Sequence, residues 1–263
     1  MSCNGRKGDE LTVMSYNVRN AKANDGDNSW DLRKPATAAM LDEVNPDIFG
    51  VQEAYPNQVE FITESCPRYK SFGVGREDGV SEGEHMSIFY NTEAIEMVEG
   101  GTYWLSETPD EPSYGWDAKC KRTATWALMK DKDSGKQFYY VNTHLDHKGV
   151  EARIKGLALI VERIGEMNKE GLPMVLTGDF NVEPADSCLN DLNTIMLDAR
   201  TTAVDSDGTP SFQGFGNSSR QTVIDYIYYS GFAACKDFKV VNKTYAEKPY
   251  ISDHYPIIST LVY

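Results

Sequence analysis

The stretch Met174–Pro184, "MVLTGDFNVEP", runs a short apolar segment into a turn that carries Asp179 and Asn181. The segment reads as a buried strand, and Gly-Asp-Phe-Asn after it reads as an Asx-type corner. A second stretch, "VMSYNV" at 13–18, also runs an apolar strand into an asparagine, Asn17. Two sheets with related edges would give such an echo. Between the two stretches strands and helices alternate, but hairpin signals such as "DKDSGK" (131–136) interrupt them. The pattern is therefore mixed α/β rather than a clean βαβ series.

Working outward, helical spacing over "LRKPATAAMLDEVN" (32–45) places Leu32, Ala36, Ala39, Met40 and Val44 on one face. "PNQVEFITESC" (56–66) is a helix opened by Pro56. A third helix, "GVEARIKGLALIVERIGEMNKEG" (149–171), puts Ile154, Leu157, Ala158, Val161, Ile164 and Met167 on one side and stops at Gly171. "PADSCLNDLNTI" (184–195) is expected to be a helix as well. Residues 1–10 are read as a tail and 11–263 as one domain, since no linker, repeat or low-complexity run divides them.

Of the 263 residues 40% are hydrophobic, enough for a substantial core, and the formal net charge is −14. That field repels long duplex DNA. No apolar run approaches the roughly 18 residues that span a bilayer. The five cysteines form no CxxC or Cys/His zinc spacing. The opening "MSCNGRKGDE" has the look of a processed bacterial lipoprotein with Cys3 lipidated, or else of a cytosolic tail. Of the two, an exported or lipid-anchored protein is favoured, and a monomer is expected.

Polar groups sit where the apolar patterns stop: Asn17, Glu53, His144 with Asp146, Asp179 with Asn181, and Asp253 with His254. Asp225 is read as lying inside an apolar strand, "VIDYIYYS" (223–230), where a carboxylate needs a partner. A histidine is its natural one. Each residue alone is a cap or a turn; together they are the acids, amides and histidines that metal-assisted phosphoester hydrolysis requires. No Walker A loop, GxSxG elbow or HExxH is present.

The order "SYNVRN … VQEA … NTHLDH … TGDFNVEP … IDYIYYS … SDHYPI" resembles the endonuclease/exonuclease/phosphatase superfamily over residues ~12 to 263. "YWLSETP", "GWDA" and "NSWDLRK" are similar to a bacterial branch of it, and "DYIYYS" to deadenylase-type members. The resemblance implies a four-layer α/β sandwich, two packed mixed sheets flanked by helices. It implies Mg²⁺ or Mn²⁺ held mainly by Glu53, with Asn17 beside it and Asp253 assisting. Asp179 and Asn181 would position the attacking water. His254, held by Asp225, would act as base or charge stabiliser, and His144 would bind a phosphate oxygen. Arg19 stands where some nucleases carry an acid, which brings a positive charge toward the substrate. Arg122, after the long loop "SETPDEPSYGWDAKCKR" (106–122), is either an added phosphate clamp or a surface arginine. Trp104, Tyr114 and Trp116 in or beside that loop stack a base or sugar, or pack on its rim. His85 and His147, without motif support, are expected at the surface.

The reaction so implied is divalent-metal-dependent hydrolysis of a phosphodiester or phosphomonoester. The substrate would be a nucleotide, a short or single-stranded nucleic acid, or another small phosphoester. The alternative is a catalytically weak phospho-ligand-binding module of the same fold. A carboxylate-pair glycosidase explains Glu53 and Asp179 but leaves the histidines without a task.

Overall fold

The computed structural model describes residues 8–263, so the proposed lipidation site Cys3 lies outside the described residues. Thirteen strands follow in chain order: β1 (Glu10–Asn17), β2 (Ile48–Gln52), β3 (Tyr69–Phe72), β4 (Ile88–Asn91), β5 (Ile95–Trp104), β6 (Thr123–Asp131) and β7 (Gln137–His144). The remainder are β8 (Met174–Asp179), β9 (Leu197–Asp198), β10 (Asp205–Ser206), β11 (Asp225–Ser230), β12 (Ala234–Val240) and β13 (Ile257–Val262). Helices are α1 (Trp30–Val44), α2 (Pro56–Ser65), α3 (Val150–Met167), α4 (Leu192–Ile195) and α5 (Ala199–Thr202). The strands form a seven-stranded sheet, β10-β12-β13-β1-β2-β4-β3, and a six-stranded sheet, β5-β6-β7-β8-β11-β9. Both are mixed: β1 runs parallel to β2 and antiparallel to β13, and β8 parallel to β7 and antiparallel to β11. The echoing stretches are thus central strands of the two sheets rather than edges.

Period-two alternation sorts each strand between two apolar layers. Leu11, Val13 and Ile48 of one sheet meet Phe138, Tyr140, Val175 and Ile227 of the other in the middle layer. Met14, Tyr16, Phe49 and Val51 face the opposite way onto Ala36, Met40 and Leu41 of α1 and Ile62 of α2. Val141, Leu176, Tyr226 and Tyr228 face Leu157, Ile160 and Ile164 of α3. The result is the four-layer α/β sandwich, helix on sheet on sheet on helix.

Toward one end the inner faces turn polar. The inward series run Leu11-Val13-Ser15-Asn17, Ile48-Gly50-Gln52, Phe138-Tyr140-Asn142-His144 and Val175-Thr177-Asp179. Asn142 joins the sheets there: its Nδ2 donates to Val51 O (2.8 Å), and its Oδ1 accepts from Gln52 Nε2 (2.7 Å). Gly50 makes this approach possible, because a Cβ at that position would lie 2.3 Å from Asn142 Oδ1 and 2.6 Å from Thr177 Oγ1.

Several local expectations are corrected. On α1, Leu32 (50% exposed) and Ala39 face solvent, while Arg33 is fully buried. Arg33 donates to the carbonyls of Val18, Arg19, Asn28 and Ile251 (2.7–2.8 Å), so its charge is distributed over backbone dipoles of the loops it gathers. On α3, Ile154 and Ala158 are exposed and the packed face runs through Ala152, Gly156, Leu157, Ile160 and Ile164. The apolar positions were wide enough for two adjacent stripes, and the small residues Ala152 and Gly156 decide which one approaches the sheet. The helix is capped at Asn168, whose side chain pairs with both Leu172 N and Leu172 O; Gly171 turns the chain afterwards at φ 67°. The 184–195 segment is not one helix. Asp186 accepts from Cys188 N and opens a 3₁₀ turn (Ser187–Leu189) before α4, as short polar side chains do when they compete with helical bonds. Asp225 opens β11 rather than lying inside it.

Gly50→Ala should cost about 1–3 kcal/mol, because the added methyl must part the sheets at their polar end. That is a fall of about 3–10 °C in Tm by calorimetry. An unchanged Tm would show that the inter-sheet contact is not tight.

Candidate active site

Topology brings the polar positions together. The parallel pairs β1/β2 and β7/β8 deliver their C-terminal ends to the polar rim, and β11 and β13, running the other way, deliver their beginnings. In register, His144 pairs with Asp179 and Asp179 with Asp225, so an imidazole and two carboxylates occupy one row across β7, β8 and β11. Glu53 follows Gln52, an inward residue, and strict alternation would send it toward the helices. Its left-handed φ of 63° breaks that alternation, and its carboxylate meets the inward Asn17. Arg19 (φ 55°) and Asn181 (φ 53°) share the conformation. For Glu and Arg it is strained, which the surrounding bonds must offset.

Asn17 Nδ2 donates to Glu53 Oε1 (3.1 Å) and to Asp179 Oδ2 (3.0 Å), linking the sheets. Glu53 Oε2 accepts from the backbone (3.1 Å) and side chain (2.9 Å) of Asn20. Asp179 Oδ1 accepts from Asn181 N (2.9 Å), and Asn181 Nδ2 reaches His144 Nε2 and Leu145 O, both at 3.0 Å. His254 Nδ1 lies 2.8 Å from Asp225 Oδ2. Its Nε2 lies 3.7 Å from Asp179 Oδ2, and His144 Nε2 3.5 Å from the same oxygen. Of these residues Asn20, Glu53, His144, Asp179, Asn181 and His254 line one open cleft of about 830 Å³.

Burial and mutual charge set the protonation states. Burial, then the charge of Asp225, raises Asp179 to about 7. Burial works against a charged His254, but Asp225 and Asp179 outweigh it and hold the imidazolium well above the ordinary histidine value. His144 is driven well below that value by burial and by Arg122, Arg76 and His254, so it is neutral. Burial alone would raise Glu53; bonds from Asn20 and Asn17, with the charge of His254, lower it instead. Glu53, His144 and Asp179 each bring a ligand atom within 4.8 Å of the others. The carboxylates of Glu53, Asp179 and Asp253 on the cleft wall offer the oxygen donors that suit a hard divalent cation.

The other expected residues take varied places. Asp253 Oδ1 accepts from Ser252 Oγ (3.3 Å), and its Oδ2 lies 3.5 Å from Arg19 Nη1. Arg19 is otherwise bidentate on Asp25 (2.9 and 3.0 Å). Arg122 is not a surface arginine: it is 5% exposed on the cleft wall, with Nε 3.3 Å from Asp146 and Nη2 3.1 Å from His147 Nδ1. Its Nη1 is buried and has no partner among the described residues. Asp146 staples the adjoining loops by accepting from the amides of Lys119, Cys120, Lys148 and Gly149. Those amide bonds and Arg122 overcome its burial and lower it to about 2. His147 is exposed but lines the cleft, whereas His85 is buried, its amide donating to Ala54 O (2.7 Å). Trp104 packs beneath a loop, with Nε1 donating to Arg76 O (2.7 Å), and neither Tyr114 nor Trp116 lines the cleft.

Sequence reading missed Asn20, the buried Arg33, and a cleft-wall pair, Arg76 and Glu84. The period-two drift from apolar to polar along β1, β2, β7 and β8 was a readable signal for the site's floor. Arg33 and Arg76 left no such pattern.

The chain belongs to the Endonuclease/Exonuclease/phosphatase family, which it matches over residues 14–254. It is 38% identical to an endonuclease/exonuclease/phosphatase family protein of Bacteroides thetaiotaomicron, with TM-score 0.91, covering 96% of this chain and 98% of that one. It is also 38% identical to a mannosyl-6-phosphatase of the same organism, with TM-score 0.90, covering 96% of this chain and 100% of that one. An uncharacterised protein of Acanthamoeba polyphaga mimivirus is 25% identical over 249 residues, 87% of this chain and 91% of that protein. The family and its named neighbours are phosphoesterases.

Asp225→Asn should bring the His254 titration, followed by imidazole NMR on metal-free protein, down from well above 6.5. The sign follows from a raised folded value. The stabilisation is full below the unfolded histidine value of about 6.5 and fades as pH rises through the folded one. The variant should therefore lose more stability at pH 6 than at pH 10. An unmoved His254 titration would mean that Asp225 does not set its charge.

Proposed function

We propose that this chain is a divalent-metal-dependent hydrolase that uses water to cleave a phosphomonoester of a small hydroxylated molecule. The observation that carries the reading is the His144–Asp179–Asp225 row, on which Glu53 and His254 converge within one cleft. Glu53, with Asn17 beside it and Asp253 assisting, would hold Mg²⁺ or Mn²⁺. Such an ion supplies a Lewis acid that offsets charge on the phosphoryl oxygens.

The chain's own groups divide the remaining work. Asp179 and Asn181 orient the attacking water, and Asp179, raised to about 7, takes its proton. His254 is already charged, so it stabilises the negative charge that builds on the phosphoryl oxygens rather than acting as the base. Arg122 on the cleft wall brings positive charge toward those oxygens, and neutral His144, whose Nε2 accepts from Asn181 Nδ2, holds Asn181 in place. Arg19, bound to Asp25 and Asp253, holds a ligand carboxylate in place.

A small monoester is supported over nucleic acid by the cleft wall. Among the described residues Phe212 is the only aromatic side chain apart from the histidines on that wall, and it already packs edge-on against His254 (5.0 Å, 64°). Among the described residues that wall offers no further aromatic ring of Phe, Tyr or Trp on which bases would stack, and the −14 charge disfavours long polyanions. The likeness to a mannosyl-6-phosphatase at 38% identity adds to this.

The test is hydrolysis of p-nitrophenyl phosphate and of bis-p-nitrophenyl phosphate with Mg²⁺ and with Mn²⁺. Monoester turnover is expected to vanish in EDTA and to fall by about 10³-fold or more in Glu53→Gln and in His254→Ala. Full activity in either variant would overturn the assignment. Metal-dependent ligand binding without turnover would point to a binding module.

A further inference from the structure

We infer that the Arg76–Glu84 pair on the cleft wall reads hydroxyl groups of the substrate's leaving alcohol, and so determines specificity for a phosphorylated sugar or polyol. This rests on the monoester reading above and names the residues that would select the alcohol.

Both side chains are 8% exposed and line the same cleft as Glu53 and His144. They form an ion pair through Arg76 Nη1 and Glu84 Oε2. The loop that carries them is built to hold them still. Asp78 Oδ1 accepts from the amides of Val80, Ser81 and Glu82 (2.8–2.9 Å). Arg76 N donates to Glu84 O (3.1 Å), Trp104 Nε1 to Arg76 O (2.7 Å) and Lys121 Nζ to Glu77 O (2.7 Å). Gly75 closes the loop: a Cβ there would lie 2.3 Å from Glu82 O. Next to Glu84, His85 N donates to Ala54 O (2.7 Å), which fixes the loop to the residue after Glu53.

Stability does not account for such a pair, since a buried ion pair contributes little more than apolar side chains of the same size. Recognition does. The contact uses one of five guanidinium donors and one of two carboxylate oxygens, and Arg76 Nε also reaches Glu77 Oε1 (3.4 Å), which still leaves donor and acceptor capacity side by side. A hydroxyl both donates and accepts, so neighbouring ring hydroxyls match that arrangement. A second phosphate would meet the charge of Glu84. A site built to bond a hydroxyl rejects the analogue that lacks it, because its own polar groups are then left unpaired.

The experiment compares kcat/KM for a hexose 6-phosphate with that for cyclohexylmethyl phosphate, the same shape without hydroxyls. It uses the metal-loaded wild type, Glu84→Gln and the double variant Arg76→Met/Glu84→Met, each first checked for an unaltered Tm. The wild type should prefer the hexose phosphate by about tenfold or more. The preference should collapse toward unity in the double variant through KM, and recover in part in Glu84→Gln, which keeps an acceptor. Equal losses on both substrates, or a wild type without preference, would overturn this inference while leaving monoester hydrolysis standing. A wild type that cleaves only diesters would remove the monoester reading and this inference with it.

Discussion

The amide of Asn17 holds two carboxylates that belong to different sheets. Its Nδ2 lies 3.1 Å from Glu53 Oε1 and 3.0 Å from Asp179 Oδ2, and the rest of the rim is arranged around that bridge. Two acids this close and this buried repel one another, so the arrangement needs donors and positive charge to persist. Asn20 supplies donors to Glu53, Asn181 to Asp179, and His254 supplies charge to both. Burial and the charge of Asp225 nevertheless keep Asp179 raised to about 7. Under the proposed function, a pair of titratable groups driven apart in this way, Asp179 raised to about 7 and His254 kept charged, would supply a base and a charge stabiliser together.

The bridge exists only because the sheets come close, and they come close because their inner faces change character along each strand. Val13, Ile48, Phe138 and Val175 make the dry centre of the sandwich. Two to four residues further on, Ser15, Gln52, Asn142 and Thr177 replace them with hydrogen-bonded groups around Gly50. Apart from the buried Gln52 Oε1, which has no partner among the described residues, the side chains of this network bond to one another or to backbone. The strands present Asn17, His144, Asp179 and Asp225, while the adjoining loops bring in Glu53, Asn181 and His254. Arg33 extends the same logic behind the site, where it gathers the carbonyls of Val18, Arg19 and Ile251.

Much of this was legible in the chain. Strand ends at Asn17, Glu53, His144 and Asp179 were readable because alternation stops there in a polar residue, and the motif order added the sandwich and the Asp225–His254 pair. What escaped was whatever depends on which of two stripes packs or on where a loop returns. The exposure of Leu32 and Ile154 was of the first kind, decided by Arg33 and by Ala152 with Gly156. The Arg76–Glu84 wall, the burial of His85 and the engagement of Arg19 by Asp25 were of the second, since loop closure leaves no period in sequence. Asp225 was misplaced within its strand but not in its partner, because a buried carboxylate needs a counter-charge wherever the strand begins.

The central claim is that the Glu53 end of this acid cluster is a divalent-cation site. Calorimetric titration of Mn²⁺ into the substrate-free protein tests it most directly. Saturable binding is expected in the wild type and its loss in Glu53→Gln. Equal binding in the two proteins, or none in the wild type, would contradict the account.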